Sequence, residues 1–514
     1  MPPSDPHHHP DDDSEPEMLA EDDALEEIED GEGDIAMDSD NEDGQEEITL
    51  HNDSIAYFDQ HKDSVFTIAQ HPKYPSLIAT GGSEGDSDDA PGKGYVFDTS
   101  AAQSGPVLPP SYNSDPTAAQ TTTQLEPIFA IEGHTDSINA LAFTQPNGEF
   151  LASGGMDGRL RVYSVAVPGS GSASAAKIAF LAESQEVPEI NWLAPCPSAT
   201  YPNTIALGAS DGSVWVYTID ASDASNPVQI IQSYFLHMEP CTAGAWSPDG
   251  QLLATVAEDS SLYVWDVWGA AAAKSLVTEN GQTVVALTAA DQRFAVEGGL
   301  YSVAVSPSGT LVAVGGAGGF IKVVGLPRLS DDTPAAAQRG ARGAEASSTH
   351  AGTILASLHA QSDSIESLAF APAPATLLAA GSVDGSVAVY DAARGFSARR
   401  HLRGAHDDFS VVRVEFVRSP PQSAAAGWLL TSCGMDGVVR RWDLRVGSAP
   451  AAHQQQQQQQ GGAPSTPASS GLVKEWRGHR GDGEGGGVLG FVQGETGERV
   501  VTAGDDGLVL VFEA

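Results

Sequence analysis

Cysteine, cationic side chains and long apolar runs are all scarce in this chain, and each scarcity excludes something. Its three cysteines, Cys196, Cys241 and Cys433, stand far apart and none belongs to a C-x-x-C pair. That excludes a disulfide-stapled secreted scaffold and a structural zinc site of the usual spacing. Lys and Arg number 25 against 69 acids in 514 residues, a formal charge of −44. Phosphate backbones are repelled by such a charge, so no nucleic acid is expected as a direct partner. No apolar run reaches about 18 residues and no basic-then-apolar stretch opens the chain, so neither a membrane span nor a secretory leader is expected. The partner that fits this chain is basic.

The charge is unevenly placed. Residues 1–50 hold 21 acids and no Lys or Arg. Low hydrophobicity with charge of one sign cannot offset the entropy lost on ordering, so 1–50 is expected to be a disordered acidic tail. His7, His8 and His9 within it are read as incidental, not as a metal site. The remainder still has 48 acids against 25 bases, and the chain as a whole is 41% hydrophobic, enough for a sizeable core. The folded part is expected over 54–514.

Self-similarity organises that part. One unit recurs: an apolar strand, a His, an acid, a Val/Ile-rich strand, Leu-x-Ala/Thr-x-Gly, Asp-Gly, and a strand ending in an aromatic residue. The second copy runs from Gly133-His134-Thr135-Asp136 through Leu151-Ala152-Ser153-Gly154 and Asp157-Gly158 to Tyr163. The fourth ends at Trp265-Asp266 and the seventh at Trp442-Asp443, while the third, sixth and eighth turn at Asp211-Gly212, Asp384-Gly385 and Asp506-Gly507. The fifth has lost its turn Asp and terminal Trp-Asp, but Val303–Gly309 parallels Gly244–Gly250, which brings the number to eight.

This is the WD-repeat signature, which predicts an all-β, eight-bladed β-propeller. His61, His134, Asp157, Asp211, Asp384, His406, Asp436 and His479 are read as structural, because buried polar groups that bond one another fix a blade's strands. The chain ends on the strand Val509–Phe512 with no outer strand after it, whereas Ile55–Phe58 precedes the first repeat. Pairing those two removes both open edges, so the propeller is expected to close through its two terminal strands.

Long low-complexity insertions, near 99–125, 164–176, 219–227, 268–282, 326–352 and 445–470, all follow a third strand. By analogy with WD propellers that places them on the bottom, where their composition predicts mobility, and leaves the top trimmed. The top loops carry an acid in every blade: Asp63, Asp136, Glu189, Glu239, Glu297, Asp363, Asp407 with Asp408, and Asp482 with Glu484. Glu366 lies just inside the sixth blade, Glu84, Asp86, Asp88 and Asp89 in a turn of the first, and Phe66, Trp192 and Tyr301 beside the acids as exposed-looking aromatics. Acids after the repeat His are common in WD repeats. Their persistence at Glu189 and Glu297, where the His is lost, points to a cationic partner that offsets the ring's self-repulsion.

Signals of catalysis fail on context. Gly481-x-Gly483-x-x-Gly486 fits a dinucleotide fingerprint in spelling only, since no helix follows to meet a phosphate. No G-x-S-x-G, H-E-x-x-H or P-loop occurs, so no enzyme, no cofactor and no metal is expected.

The first blade is the most individual segment: His61-Lys62-Asp63-Ser64-Val65-Phe66-Thr67-Ile68, then His71-Pro72-Lys73-Tyr74-Pro75 and Ala79-Thr80-Gly81-Gly82. With the acidic tail and seven further repeats it resembles the WD-repeat family of the angio-associated migratory cell protein and a fungal ribosome-assembly chaperone. The resemblance implies a dedicated chaperone for a newly made protein, large-subunit ribosomal protein ten. Its basic N-terminal segment would be gripped on the acidic top, by a monomer acting in the cytoplasm or also the nucleus. The animal member implies a role in cell migration and signalling, and the alternative is a WD-repeat scaffold in signalling or cell migration, or in ubiquitin-ligase substrate recruitment.

Overall fold

Short Val/Ile/Leu-rich segments separated by Asp-Gly turns are hairpin chemistry, and in the computed structural model they pair accordingly. The structure describes residues 52–85, 90–102, 122–168, 173–329, 351–419, 427–445, 471–480 and 486–514. The tail expected over 1–50 lies outside them. Among the described residues the strands form eight sheets, seven of them four-stranded and antiparallel from segments close in sequence and the eighth joining strands from both ends of the chain. Blade three, for example, runs Ile190–Pro195, Thr204–Ala209, Val214–Ile219 and Val228–Tyr234 from the inside outward. The first strands of successive blades touch one another around the ring, so they line a central opening. Among the described residues only Ala270–Ala273 forms an α-helical turn, and no described helix is long and apolar enough to cross a membrane.

The ring closes as the sequence predicts. Ala56–Phe58 lies antiparallel on Val509–Glu513, with Ala56 opposite Val511 and Phe58 opposite Val509. Thr123–Gln124, at the end of the insertion after blade one, adds a fifth strand parallel to Ala56–Phe58, which is thus held from both sides. Phe58 is fully buried and stacks on Phe97 at 4.6 Å. Each seam between neighbouring blades carries its own apolar cluster; between blades three and four it includes Val214, Val216, Tyr234, Leu253 and Trp265. Burying one such side chain contributes roughly 1.5–3 kcal/mol. The glycine that ends Leu-x-Ala/Thr-x-Gly makes the seam tight. A Cβ on Gly154 would lie 2.7 Å from Ile190 Cγ2, and one on Gly381 2.8 Å from Val411 Cγ1, in each case the residue that opens the next blade's inner strand.

The polar residues assigned to structure hold the blades as proposed. In blade two His134 Nδ1 donates to Asp157 at 3.1 Å and Nε2 accepts from Ser153 Oγ at 2.8 Å. In blade seven His406 meets Asp436 and Ser432, both at 2.8 Å, and the Trp442 indole N–H donates to the same Ser432 at 2.9 Å. His237 belongs to this set, although the sequence reading did not include it. It lies between Thr255 Oγ1 at 2.8 Å and Ser261 Oγ at 2.5 Å. Gln361 takes the histidine's place in blade six, donating to Ser386 Oγ at 3.0 Å.

Two expectations about loops need correction. The top is not trimmed everywhere: residues 288–299, between blades four and five, form a long top loop that buries Phe294 and Val296. Val296 N–H donates to Ser260 Oγ at 2.9 Å, and the buried Lys322 Nζ reaches back to Arg293 O at 2.9 Å. That packing stands where the fifth repeat has lost its His and Asp. Nor are all the insertions loose. Within 219–227 Asp220 and Asp223 accept from Ser222 and Ser225 N–H groups at 2.9 and 3.0 Å, and within 268–282 Ala271 is buried.

Candidate functional site

The loops that join each outer strand to the next inner strand bring the acids to one face. Glu239, Glu297, Asp363, Asp407 and Asp408 are exposed there, and Asp63, Asp136 and Glu189 are half-buried. Three of them also serve their own loop. Asp63, Asp136 and Asp363 each accept from the N–H of the following serine, at 2.8, 2.7 and 2.7 Å. Asp482 and Glu484 lie outside the described residues, as do Asp86, Asp88 and Asp89. Glu84 already has cations, with Lys62 at 2.7 Å and Lys93 at 3.7 Å.

The inner strands of blades four to eight enclose part of the central opening as a cavity of about 520 Å³, lined by Tyr301, Glu366, Arg413 and Glu415 among others. At its mouth negative groups crowd. Burial, and then the charge of Asp363, push the Glu366 carboxyl above its ordinary range. Burial and the charges of Glu258 and Glu366 raise the Tyr301 phenol. Both shifts say that the site resists negative charge and would be relieved by a cation. Glu258 was missed by the sequence reading because it sits in the turn between the second and third strands of blade four, not after a repeat His. Of the two arginines lining this cavity, Arg413 and Arg418, the first is engaged by Glu415 at 3.2 Å.

Two of the three aromatics differ from their expected exposure. Phe66 is 41% exposed, as expected. Trp192 is half-buried, its ring laid across Gly208 and Gly244, so that one face packs on blades three and four instead of standing free. Tyr301 is half-buried as well, and its hydroxyl donates to Gly298 O at 2.6 Å. Sequence reasoning missed Phe235 and Met238, which are more exposed than any of the three. No periodic signal marks them, because exposure depends on what the neighbouring blade covers.

Charge around the ring is sharply uneven. Between Lys177 and Lys274 there is no Lys or Arg, against 11 acids. Of those acids only Glu183 meets a guanidinium among the described residues, that of Arg161 and, at 3.6 Å, Arg159. The cysteines offer no thiolate: burial lifts Cys196 to about 11 and Cys433 to about 12, and pushes Cys241 up as well.

Residues 125–164, 229–266, 293–324 and 352–391 match the WD domain, G-beta repeat, the weak fifth copy among them. The ribosome assembly protein Sqt1 of Saccharomyces cerevisiae is 31% identical over 225 residues, 43% of either chain, and an uncharacterized WD repeat-containing protein of Schizosaccharomyces pombe is 28% identical over 55% of either. The matches thus span about half the length of these two yeast relatives. The human angio-associated migratory cell protein is 24% identical over 90% of this chain and 80% of its own. Among solved structures, Chaetomium thermophilum Sqt1 bound to the N-terminus of the ribosomal protein L10 is 65% identical, with a TM-score of 0.76, covering 90% of this chain and all of that one. With that identity sustained along the whole of a Sqt1 propeller, the chain belongs to the Sqt1 family of WD-repeat proteins.

Proposed function

We propose that this chain is a dedicated, non-enzymatic chaperone that receives the basic N-terminal segment of ribosomal protein L10 across the acidic top of its propeller. There it shields the segment until assembly into the large ribosomal subunit, in the cytoplasm where ribosomal proteins are made or also in the nucleus. The observation that carries this reading is the 65% identity with a Sqt1 whose structure holds the L10 N-terminus. The electrostatics support it. Asp63, Asp136, Glu189, Glu239, Glu297, Asp363, Glu366, Asp407 and Asp408 are presented on one face, with Glu258 joining Glu366 around Tyr301. Arginines laid among them form charge-assisted, often bidentate bonds, each contributing roughly 1.5–3 kcal/mol where solvent is excluded. Phe66 supplies a ring for a guanidinium to stack on.

Calorimetry with an L10 N-terminal peptide tests the reading. The combined variant Glu189→Lys, Glu239→Lys and Glu366→Lys should keep its circular dichroism spectrum and melting profile yet lose measurable binding. Wild-type affinity in that folded variant would remove the top face from consideration. Affinity purification from lysate provides the cellular arm: L10 without intact ribosomes is expected, whereas signalling or ubiquitin-ligase subunits in its place would favour the scaffold alternative.

A further inference from the structure

Met238, 82% exposed, and Phe235, 64% exposed, are the two most exposed large apolar side chains among the described residues, and they lie three positions apart at the top outer corner of blades three and four. Left in water, each forgoes the stabilisation that burial of a large apolar group supplies. They are nevertheless held in place. Phe235 stands edge-on to Trp215 at 5.7 Å, and the Trp215 indole N–H donates to Ser213 Oγ at 3.0 Å. Met238 N–H donates to Asp259 Oδ2 at 2.8 Å, and the preceding His237 is locked between two hydroxyls. An uncovered aromatic ring beside a thioether can seat a partner's apolar side chain, with methionine adapting to the shape it meets.

The surroundings decide what can cover it. Glu239 follows Met238 directly, Asp211 and Asp259 flank the loop, and no Lys or Arg occurs anywhere from 178 to 273. A second copy of this chain would bring its own −44 charge against that field and be repelled. An acidic or neutral partner gains nothing from it. We propose that Phe235, Met238 and Trp215 form an apolar seat for a bulky hydrophobic side chain of the captured segment. The client class is then a segment in which such a residue adjoins Arg or Lys, not a merely cationic one. This rests on the chaperone reading and names a second determinant of it, apolar and located at the rim, where that reading invokes charge near the central opening.

A double-mutant cycle separates the two. The probes are the L10 N-terminal peptide and the same peptide with every Phe, Tyr, Trp, Leu, Ile, Met and Val replaced by Ser and its bases kept. The proteins are the wild type and the variant Phe235→Ser/Met238→Ser, whose substitutions are on the surface and should leave the melting temperature unchanged. The wild type should bind the natural peptide about tenfold more tightly than its Ser counterpart. The variant should lose about that factor for the natural peptide and nothing for the other. Equal binding of both peptides by the wild type, or an equal loss for both in the variant, overturns the apolar seat and leaves the chaperone reading standing. If the wild type binds neither peptide, the chaperone reading falls and the seat falls with it.

Discussion

Blades three and four differ from blades six and seven in what their charges are for. The two pairs share strand pattern, turn chemistry and seam packing. Yet blades six and seven with their loops, residues 360–480, hold 12 Lys and Arg against 10 acids, whereas 178–273 hold none against 11. In the basic pair the strand and turn carboxylates of blade seven are committed: Asp436 to His406 and Arg440, Asp443 to Arg445, Glu475 to Arg440 and Arg477. In the acidic pair Asp211, Asp220, Asp223 and Asp259 meet only hydroxyls, backbone N–H groups and a neutral histidine. One template therefore builds a self-neutralised wall and an uncompensated one. Below the top loops, only the second leaves carboxylates to attract a cation from outside.

The comparison breaks most visibly in stability. Asp436→Ala strands a buried Arg440 and His406, and should lower unfolding free energy by about 3–5 kcal/mol in denaturant titration. Asp211→Ala, in the equivalent turn of blade three, removes bonds to the buried Ser213 but leaves no charge unpaired, and should cost about 1–2 kcal/mol. Similar losses for the two would erase the distinction between committed and spare carboxylates.

Acid sharpens it next. Burial holds His237 down at about 4 against an ordinary value of 6.5, and His61 likewise at about 4, with Lys93 adding to the effect. Below 6.5 the unfolded chain binds protons that the folded chain refuses, so stability is intact at neutral pH and declines as pH falls toward 4. Melting temperatures between pH 7.5 and 4.5 should show that decline. His237→Gln should flatten it, since Gln361 fills the same place in blade six. An unchanged slope in that variant would mean that blade four does not contribute to the acid response.

Capture supplies the smaller effects. Arg394→Glu with Arg403→Glu, both exposed in the basic pair, should change L10-peptide affinity by less than about threefold, because exposed charges contribute only ~0–1 kcal/mol. A loss as large as that from reversing Glu189, Glu239 and Glu366 would mean that net charge, not its position, governs binding. Raising salt from 50 to 300 mM should slow association of the peptide more than it speeds dissociation, as screened steering requires. Salt-independent kinetics would count against the uncompensated wall as the attracting surface.

Much of the architecture was legible because it is written within single repeats. His, Ser/Thr, Asp and Trp recur at spacings that let them bond inside one blade, as His134 does with Ser153 and Asp157. Alternation and Asp-Gly turns fix the hairpins, and a lone strand at each end of the chain implies the closure that Phe58 and Val509 make. Of the candidate site, the positions of the top-loop acids were legible for the same reason. Their availability was not. Trp192 looked free until Gly208 and Gly244 were seen beneath its ring, and Glu84 until Lys62 and Lys93 stood beside it.

The sequence by itself determined the number of blades, the strand that shuts the ring and most of the residues that pin each blade, and it set the expectation of a basic partner. All follow from short-range periodicity and composition. Only the tertiary structure decided that Thr123–Gln124 clamps the closing strand, that Glu258 joins Glu366 at Tyr301, and that Phe235 and Met238 stay uncovered. Exposure and electrostatic crowding are set by side chains that arrive from the neighbouring blade, some 20 to 60 residues away in sequence. No local pattern records which of them will be there.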